Sequence, residues 1–309
     1  MITAELKEFA TVRPAGRVVE MRAGVLKVVG LTDVARLGDL VEVHGVGGVT
    51  IGEVLAVERE SATILLDGSD TDININSRVV LCGQQGIAPN ESWLGQVIDP
   101  FGKPIGDDPI LCGAKSYPVR GDTLNAIQKR GLGTRLETGM SVFNTILPIV
   151  RGQRLGLFAG SGVGKTMLLA RFAVGVATDI TVIALIGERG REIREFVENV
   201  LGPTGMERTI VVAATSDMSA LARRRCAWSA MAIAEYFRDC GRQVLFLADS
   251  ITRFAEAHRE IALSAGEDAS LRGYPPSTAQ IIPALCERAG PGAHEGRHNG
   301  NIQCSCRGV

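Results

Sequence analysis

Eight residues near the middle of the chain, 159–166, constrain its fold and chemistry more than any other segment. They read AGSGVGKT, and their glycines leave space for successive backbone N–H groups to converge on one anion. A core strand is predicted just before the loop, at residues 155–158, and a helix at its end, at residues 166–176. A strand, a glycine-rich loop and a helix N-terminus in this order are typical of a phosphate-binding site.

Each position of this loop has an expected role. The usual pattern begins with glycine, and Ala159 departs from it, whereas the Gly-Lys-Thr end is intact. Lys165 would place its ammonium group on the β and γ phosphates of ATP, and the Thr166 hydroxyl would coordinate Mg²⁺. A glycine-rich turn that precedes a lysine by chance would not require the flanking strand and helix. The backbone cradle is expected at Gly160, Ser161, Gly162, Val163 and Gly164.

Two further predicted strands lead to carboxylates: one strand ends in an aspartate, and a glutamate directly follows the other. Residues 244–249 read VLFLAD, a buried strand whose last residue, Asp249, would supply a second ligand to Mg²⁺. Residues 181–187 form another core strand, and Glu188 after it is our candidate for polarising an attacking water. Each has an ordinary alternative: Asp249 could cap a turn, and Glu188, in the run ERGRE, could begin a solvated helix.

The pattern of apolar residues divides the chain into parts. From Gly16 to about Leu81, short β-branched runs broken by glycine indicate a small β-barrel, with strands predicted at 17–21, 25–29, 40–44, 54–58 and 63–66. A linker rich in glycine and proline follows, and beyond Gly139 wholly apolar strands alternate with helical patterns, as in an α/β domain with a mostly parallel sheet. One helical pattern covers 193–200 and is stopped by Gly202 and Pro203, and another covers 218–236. We therefore predict a β-barrel domain at 1–83, a P-loop domain at 84–292 and a polar tail at 293–309.

Composition narrows the class of protein. Lys plus Arg (33) nearly balance Asp plus Glu (34), so the charge predicts no nucleic-acid partner. The seven cysteines are scattered and odd in number, unlike a disulfide framework. Glu5, Lys7 and Glu8 interrupt any apolar signal segment, and the apolar runs are too short to span a bilayer. A cytoplasmic protein is expected.

Several segments together resemble one family. AGSGVGKT, GERGRE at 187–192, VLFLADSITRFA at 244–255, RGYPPS at 272–277 and WLGQVIDPFGKPI at 93–105 resemble the flagellar and type III secretion export ATPases, relatives of the rotary ATP synthases. The resemblance covers roughly residues 16–292 and is closer to the flagellar branch of the family than to the injectisome branch. It implies a RecA-like P-loop domain that binds Mg-ATP and hydrolyses it between subunits of a cytoplasmic homo-hexamer.

The same resemblance implies roles for individual residues and partners. Glu188 would orient the attacking water, Arg189 and Arg253 would support the site, and Tyr274 would lie in a segment at the catalytic interface. Partners would be a stator or regulator protein, export-gate proteins, export substrates and their chaperones. Association with the membrane would be peripheral, at the inner-membrane export apparatus.

The resemblance ends after Gly292. The family continues there into another core strand and a helical C-terminal domain, whereas residues 293–309 read AHEGRHNGNIQCSCRGV. We expect an aberrant polar tail, from a shifted reading frame or a truncated gene, and a missing helical C-terminal domain. In relatives the missing part carries an arginine that reaches the neighbouring subunit's site and an aromatic residue that stacks on adenine. A nucleotide-binding chain with impaired turnover is therefore an alternative.

Two other readings remain open. A Rho-type RNA translocase also joins a small β domain to a RecA-like motor, but the near-neutral charge and the lack of aromatic-basic strand motifs in the barrel speak against it. RNA-stimulated hydrolysis would favour it. A purely structural role would make the P-loop a relic, although Lys165, Thr166, Glu188 and Asp249 are all retained.

Overall fold

A computed structural model describes residues 12–292, apart from positions 85, 107, 124, 126, 128, 159, 161 and 162, and the backbone of 302–308. The chain divides into two compact units. One contains the N-terminal strands together with Ile261–Asp268, and the other begins at Gly86.

The first unit is built on a closed, antiparallel six-stranded β-barrel with strand order β1-β2-β5-β4-β3-β6. Alternate residues point inwards, and Val18, Leu26, Val28 and Val41 are fully buried in its core. The strands are Ala15–Arg22 (β1), Val25–Val29 (β2), Leu40–His44 (β3), Val49–Val57 (β4), Ala62–Leu66 (β5) and Arg78–Gly83 (β6).

The predicted barrel is confirmed, with two corrections. The sequence indicates five strands, whereas the barrel has a sixth, Arg78–Gly83, which pairs with both β1 and β3 and so closes the sheet. Its residues Val79, Val80 and Leu81 are all buried, so it lacks the alternation by which a barrel strand is recognised. Strand β4 also begins at Val49 rather than Val54.

The second unit is an α/β domain around a six-stranded sheet of order β10-β14-β13-β11-β12-β8, whose strand pairs are all parallel. Strands β7 and β9 form a separate antiparallel pair. The elements after the barrel are Gly86–Ile87 (β7), a 3₁₀ turn Glu91–Trp93, Val97–Ile98 (β8), Tyr117–Pro118 (β9), Ser141–Thr145 (α1), Arg154–Phe158 (β10), Lys165–Gly175 (α2), Ile180–Glu188 (β11), Gly190–Glu195 (α3), a π-helical turn Phe196–Leu201, Gly202–Met206 (α4), Thr209–Thr215 (β12), Ala220–Asp239 (α5), Val244–Asp249 (β13), Ile251–Ser264 (α6), a 3₁₀ turn Leu271–Gly273, Thr278–Arg288 (α7) and Ile302–Gly308 (β14).

Both faces of the parallel sheet are covered, which explains why its strands are apolar throughout. On β11, Val182 and Ala184 belong to a core that includes residues of α5. Their neighbours Ile183 and Leu185 belong to a second core that includes residues of α2. This confirms the predicted fold class of a small β-barrel followed by a P-loop-type α/β unit with a parallel sheet.

The helical run after β11 agrees with its prediction and is followed at once by a further short helix. The sequence places Ile193, Phe196, Val197 and Val200 on one helical face, and all four pack in the core shared with α2. The run ends at Leu201 with Gly202 as its C-cap, as predicted, and the short α4 begins at the same glycine, with Pro203 in its first turn. Proline is well tolerated in the first turn of a helix, because the N–H that it lacks has no helical partner there.

The C-terminal segment also differs from expectation. The backbone of Ile302–Gly308 lies inside the sheet and is parallel to both neighbouring strands. Ile302 pairs with Val244 of β13, and Cys304 pairs with Arg154 of β10. The sequence IQCSC alternates apolar and polar residues, a strand pattern concealed by the polar residues before it. The rest of the predicted tail, 293–301 and residue 309, lies outside the described residues. In the described part of the chain, no helical domain follows α7.

None of the described helices combines the length and apolar character needed to cross a membrane.

A cluster of ion pairs at the end of α7 makes stability depend on pH. Glu287 pairs with Arg154 and Lys129, and hydrogen bonds from these two cations lower the pKa of Glu287 from 4.5 to about 2. Since the folded-state pKa is depressed, the stabilisation is present above pH 4.5 and is lost as pH falls towards about 2. We expect Glu287→Gln to lower the free energy of unfolding at neutral pH by about 1 kcal/mol or less, because the carboxylate is half exposed.

Urea unfolding of the wild-type and E287Q chains between neutral pH and pH 3 measures this difference. The two curves should converge as the solution becomes more acidic. Glu198→Gln, which removes an exposed carboxylate paired with the single cation Arg194, is the matched control. A difference between wild type and E287Q that stays constant over this range would contradict the assignment.

Candidate nucleotide site

The glycine-rich loop leads directly into helix α2. Gly164, the residue before the helix, has φ of 87°, a left-handed conformation that side chains other than glycine rarely adopt. A Cβ added to Gly160 or Gly164 would meet no atom within 4 Å, so the space beside the loop is open. Lys165 is the first residue of α2 and is buried. The loop therefore has the open space and the helix N-terminus that an anion cradle requires.

The other residues of the predicted cradle are described only in part. Val163, which precedes Gly164 in the loop, is 65% exposed. Ser161 and Gly162 lie outside the described residues.

Two carboxylates lie at the same edge of the sheet. Asp249, the last residue of β13, is buried and pairs in register with Leu185 on β11. Glu188, the last residue of β11, pairs with Thr215 on β12. Because these strands are parallel and adjacent, their carboxyl ends meet at one edge, the usual position of a binding site in such sheets.

A cavity of about 240 Å³ joins this edge to the start of α2. Thr166, Glu188 and Asp249 all lie in its wall, so the structure brings together three residues that are distant in the sequence. The remaining wall residues are Leu185, Glu192, Ile193, Glu195, Phe196 and Val200.

The polar groups of the wall fit a magnesium ion and a bound phosphate chain. The hydroxyl of Thr166 and the carboxylate of Asp249 are hard oxygen donors, which Mg²⁺ prefers, and Mg²⁺ is commonly held by only one or two protein ligands together with phosphates and water. The buried ammonium group of Lys165 is adjacent in the chain to Thr166. The cavity can therefore hold a divalent cation between a carboxylate and an anion.

Comparison with known proteins identifies the family. The sequence model of the ATP synthase alpha/beta family, nucleotide-binding domain, matches residues 139–304. The chain belongs to this family. The match includes the glycine-rich loop and both carboxylate-bearing strands, and it extends beyond residue 292 into β14.

Individual relatives in this family carry flagellar or type 3 secretion names. The chain is 41% identical to the flagellum-specific ATP synthase of Agrobacterium fabrum, over 92% of this chain and 60% of that protein. It is 40% identical to the type 3 secretion system ATPase of Xanthomonas euvesicatoria, over 93% of this chain and 65% of that protein. The chain thus spans less than two thirds of the length of these curated relatives.

A solved structure agrees with the fold. The assembled ATPase EscN, in complex with its central stalk EscO, from the enteropathogenic Escherichia coli type III secretion system, superimposes with a TM-score of 0.85 at 30% identity. The superposition covers 94% of this chain and 71% of that chain.

Two acidic residues that line this cavity were not predicted from the sequence. Glu192 and Glu195 lie on α3 and contribute to the same wall as Glu188. The signal was available, because Glu188, Glu192, Phe196 and Val200 recur at helical spacing, although α3 begins only at Gly190. Within GERGRE, the sequence and its family resemblance indicate site roles for Glu188 and Arg189 alone.

The two arginines of the predicted site lie outside the wall of this cavity. Arg189 precedes α3 and pairs with Glu192 at 3.5 Å, and its side chain is 67% exposed. Arg253, on α6, pairs with Glu256 at 3.1 Å. A Cβ at Gly187 would lie 3.6 Å from the Arg253 side chain, so Arg253 adjoins the end of β11 just before Glu188.

Tyr274 also lies outside the wall of this cavity. Its carbonyl accepts hydrogen bonds from the backbone N–H and the hydroxyl of Ser270, both at 3.0 Å. The guanidinium of Arg259 lies 5.6 Å from the centre of its ring. These contacts hold the RGYPPS loop in place. The role of Tyr274 at a subunit interface stays a prediction.

Proposed function

We propose that this chain is an ATP-binding and ATP-hydrolysing motor that energises protein export through the flagellar type III secretion apparatus. One observation carries the chemical part of the proposal: Thr166, Glu188 and Asp249 line one cavity beside the glycine-rich loop. Family membership and the flagellar and type III secretion names of the relatives support the biological part.

The roles follow from the positions of the side chains. Lys165 and the backbone N–H groups of residues 160–164 would bind the phosphates, with α2 contributing its positive N-terminal end. Thr166 and Asp249 would hold Mg²⁺, which neutralises phosphate charge when bound. Glu188 would accept a proton from, and orient, the attacking water. Arg189 and Arg253 would support the γ phosphate side of the site, and Tyr274 would contact a neighbouring subunit.

Assembly and location belong to the same proposal. We infer a homo-hexamer that works with a stator or regulator, export-gate proteins, export substrates and chaperones. The assembled state of EscN and its complex with a stalk support oligomerisation and a protein partner. The chain would be cytoplasmic, held peripherally at the inner-membrane export apparatus, and no nucleic-acid partner is part of the proposal.

Removal of the Lys165 ammonium group tests the phosphate site directly. We expect Lys165→Ala to weaken Mg-ATP binding about tenfold to a hundredfold, because charge-assisted bonds to phosphate are worth about 1.5–3 kcal/mol. Isothermal titration calorimetry measures the affinity. Lys103→Ala, which removes an exposed lysine from a loop of the same unit, is the matched control. Equal affinity in the two variants would exclude the loop as the phosphate site.

Turnover is tested separately from binding. ATP hydrolysis by the purified chain across a range of protein concentrations, with Mg²⁺ present or removed, reports both activity and assembly. Activity that rises with concentration and disappears in K165A supports the motor. Nucleotide binding without hydrolysis at any concentration would favour the alternative of a binding chain with impaired turnover, and stimulation by RNA would favour the Rho-type alternative.

A further inference from the structure

Strand β11 contains a bulge one residue before Glu188. In the ladder to β12, the residues on either side of Gly187 pair with Ala214 and Thr215, which are consecutive, so Gly187 is the extra residue. Its φ of 69° lies in the left-handed region, which favours glycine. An extra residue of this kind bends a strand and redirects a neighbouring side chain. The direction of the Glu188 carboxylate therefore depends on how Gly187 is held.

The side chain of Arg223 packs on the open side of this glycine. A Cβ added to Gly187 would lie 3.5 Å from Cδ of Arg223, an ordinary van der Waals separation. Arg223 lies near the start of α5, and its side chain is only 15% exposed. Arg253 approaches the same glycine at 3.6 Å, but its side chain is 52% exposed and pairs with Glu256 of its own helix. Arg223 is therefore the more firmly buried of the two neighbours of the bulge.

Two hydrogen bonds fix the Arg223 side chain. Its Nε donates to the Met218 carbonyl at 3.1 Å, at the end of the turn that follows β12. Its Nη2 donates to a carboxylate oxygen of Glu260 at 2.6 Å, on α6, the helix that follows Asp249. Because both donors belong to one planar guanidinium, the adjoining Cδ is held across Gly187.

The turn after β12 bonds back to Glu188. The Ser216 N–H donates to the Glu188 carbonyl at 3.0 Å, and the Met218 N–H donates to the Thr215 carbonyl at 3.1 Å. Arg223 thus contacts the bulge directly and also holds, through Met218, the turn that bonds the backbone of Glu188. Both contacts act on the position of one carboxylate.

We propose that Arg223 is a positioning residue for Glu188: it holds the Gly187 bulge and the turn after β12, and thereby directs the Glu188 carboxylate into the cavity beside the glycine-rich loop. Arg223 lies outside the wall of that cavity, so it acts through the backbone rather than on the nucleotide. The catalytic consequence rests on the role of Glu188 in the proposed function, whereas the structural consequence does not. Misplacement of a reacting group by about 1 Å can lower a rate about a hundredfold.

Replacement of Arg223 by methionine tests this role, because methionine keeps an unbranched chain against Gly187 but donates no hydrogen bond. We expect Arg223→Met to lower kcat for ATP hydrolysis about tenfold to a hundredfold and to leave the calorimetric affinity for Mg-ATP within about twofold. Arg223→Lys should give an intermediate kcat, since one ammonium group cannot reproduce both bonds of the planar fork. Arg242→Met, which removes an exposed arginine paired with Glu91, is the matched control and should change neither quantity.

Amide hydrogen exchange measures the positioning without hydrolysis. Peptides that cover 186–190 and 214–219 report the bulge and the turn, including the Ser216 N–H that bonds Glu188. R223M should raise the exchange rates of these two segments about tenfold and leave α2 and β13 at their wild-type rates. A general loss of stability would instead raise exchange throughout the second unit, and R242M should change neither segment.

Two results would overturn the proposal. The first is wild-type hydrolysis in R223M when E188Q is impaired. The second is exchange in R223M that is unchanged in both segments or raised equally across the second unit. Failure of the proposed function gives a different result: the wild-type and E188Q chains would hydrolyse ATP equally or not at all. The exchange rates would then decide by themselves whether Arg223 holds the bulge.

Discussion

Replacement of Glu188 by glutamine is expected to lower the rate of ATP hydrolysis by about 10²- to 10⁴-fold, the usual contribution of a positioned general base. Glu188 ends β11 and shares a cavity with Thr166 and Asp249, where the proposed function assigns it the role of proton acceptor. Glutamine preserves its size but cannot accept the proton. Nucleotide affinity should change little, because the proposal assigns the phosphate contacts to Lys165 and the loop. Single-turnover hydrolysis and calorimetric binding measure the two quantities.

Glu192 provides the matched control for this prediction. It lies in the wall of the same cavity, on α3, but pairs with Arg189. Glu192→Gln should therefore reduce hydrolysis by less than tenfold, since a group that does not take up the proton contributes only to the local field. A large loss in E192Q together with near-normal activity in E188Q would show that Glu192, and not Glu188, is the general base.

Much of the α/β unit could be predicted because its strands are buried on both faces. The segment 244–249 is apolar until its final carboxylate, and its predicted bounds equal those of β13. Ser219 accepts a hydrogen bond from the Ala222 N–H and caps α5, close to the start predicted at Met218. Parallel strands align their carboxyl ends, so Glu188 and Asp249 could be placed at one edge before their contacts were known.

Other features depend on contacts between distant parts of the chain. Strand β6 has three consecutive buried residues, Val79, Val80 and Leu81, in place of an alternating pattern, and its ladders to β1 and β3 reveal it. The strand Ile302–Gly308 lacks strong apolar character, and its pairing with β10 and β13 places it in the sheet. The guanidinium of Arg120 lies against the ring of Trp228, more than one hundred positions away, and no local pattern signals that contact.

The buried pair Arg288–Glu235 is expected to contribute most to the stability of the second unit among the ion pairs described. Both residues are less than a tenth exposed, and they are joined by two hydrogen bonds. Arg288→Ala leaves the Glu235 carboxylate buried without its cation and also removes the bond to the Val119 carbonyl. We expect the free energy of unfolding to fall by about 3–5 kcal/mol. Urea denaturation monitored by circular dichroism measures the loss.

An apolar replacement of both partners separates the stranded charge from the packing around it. Because the cost of R288A arises mainly from the stranded charge, the double variant Glu235→Leu with Arg288→Met should be destabilised by less than R288A alone. Arg242→Ala, which breaks an exposed pair with Glu91, should cost less than about 1 kcal/mol. Equal losses in R288A and R242A would mean that burial adds nothing to the Arg288 pair, contrary to the desolvation argument.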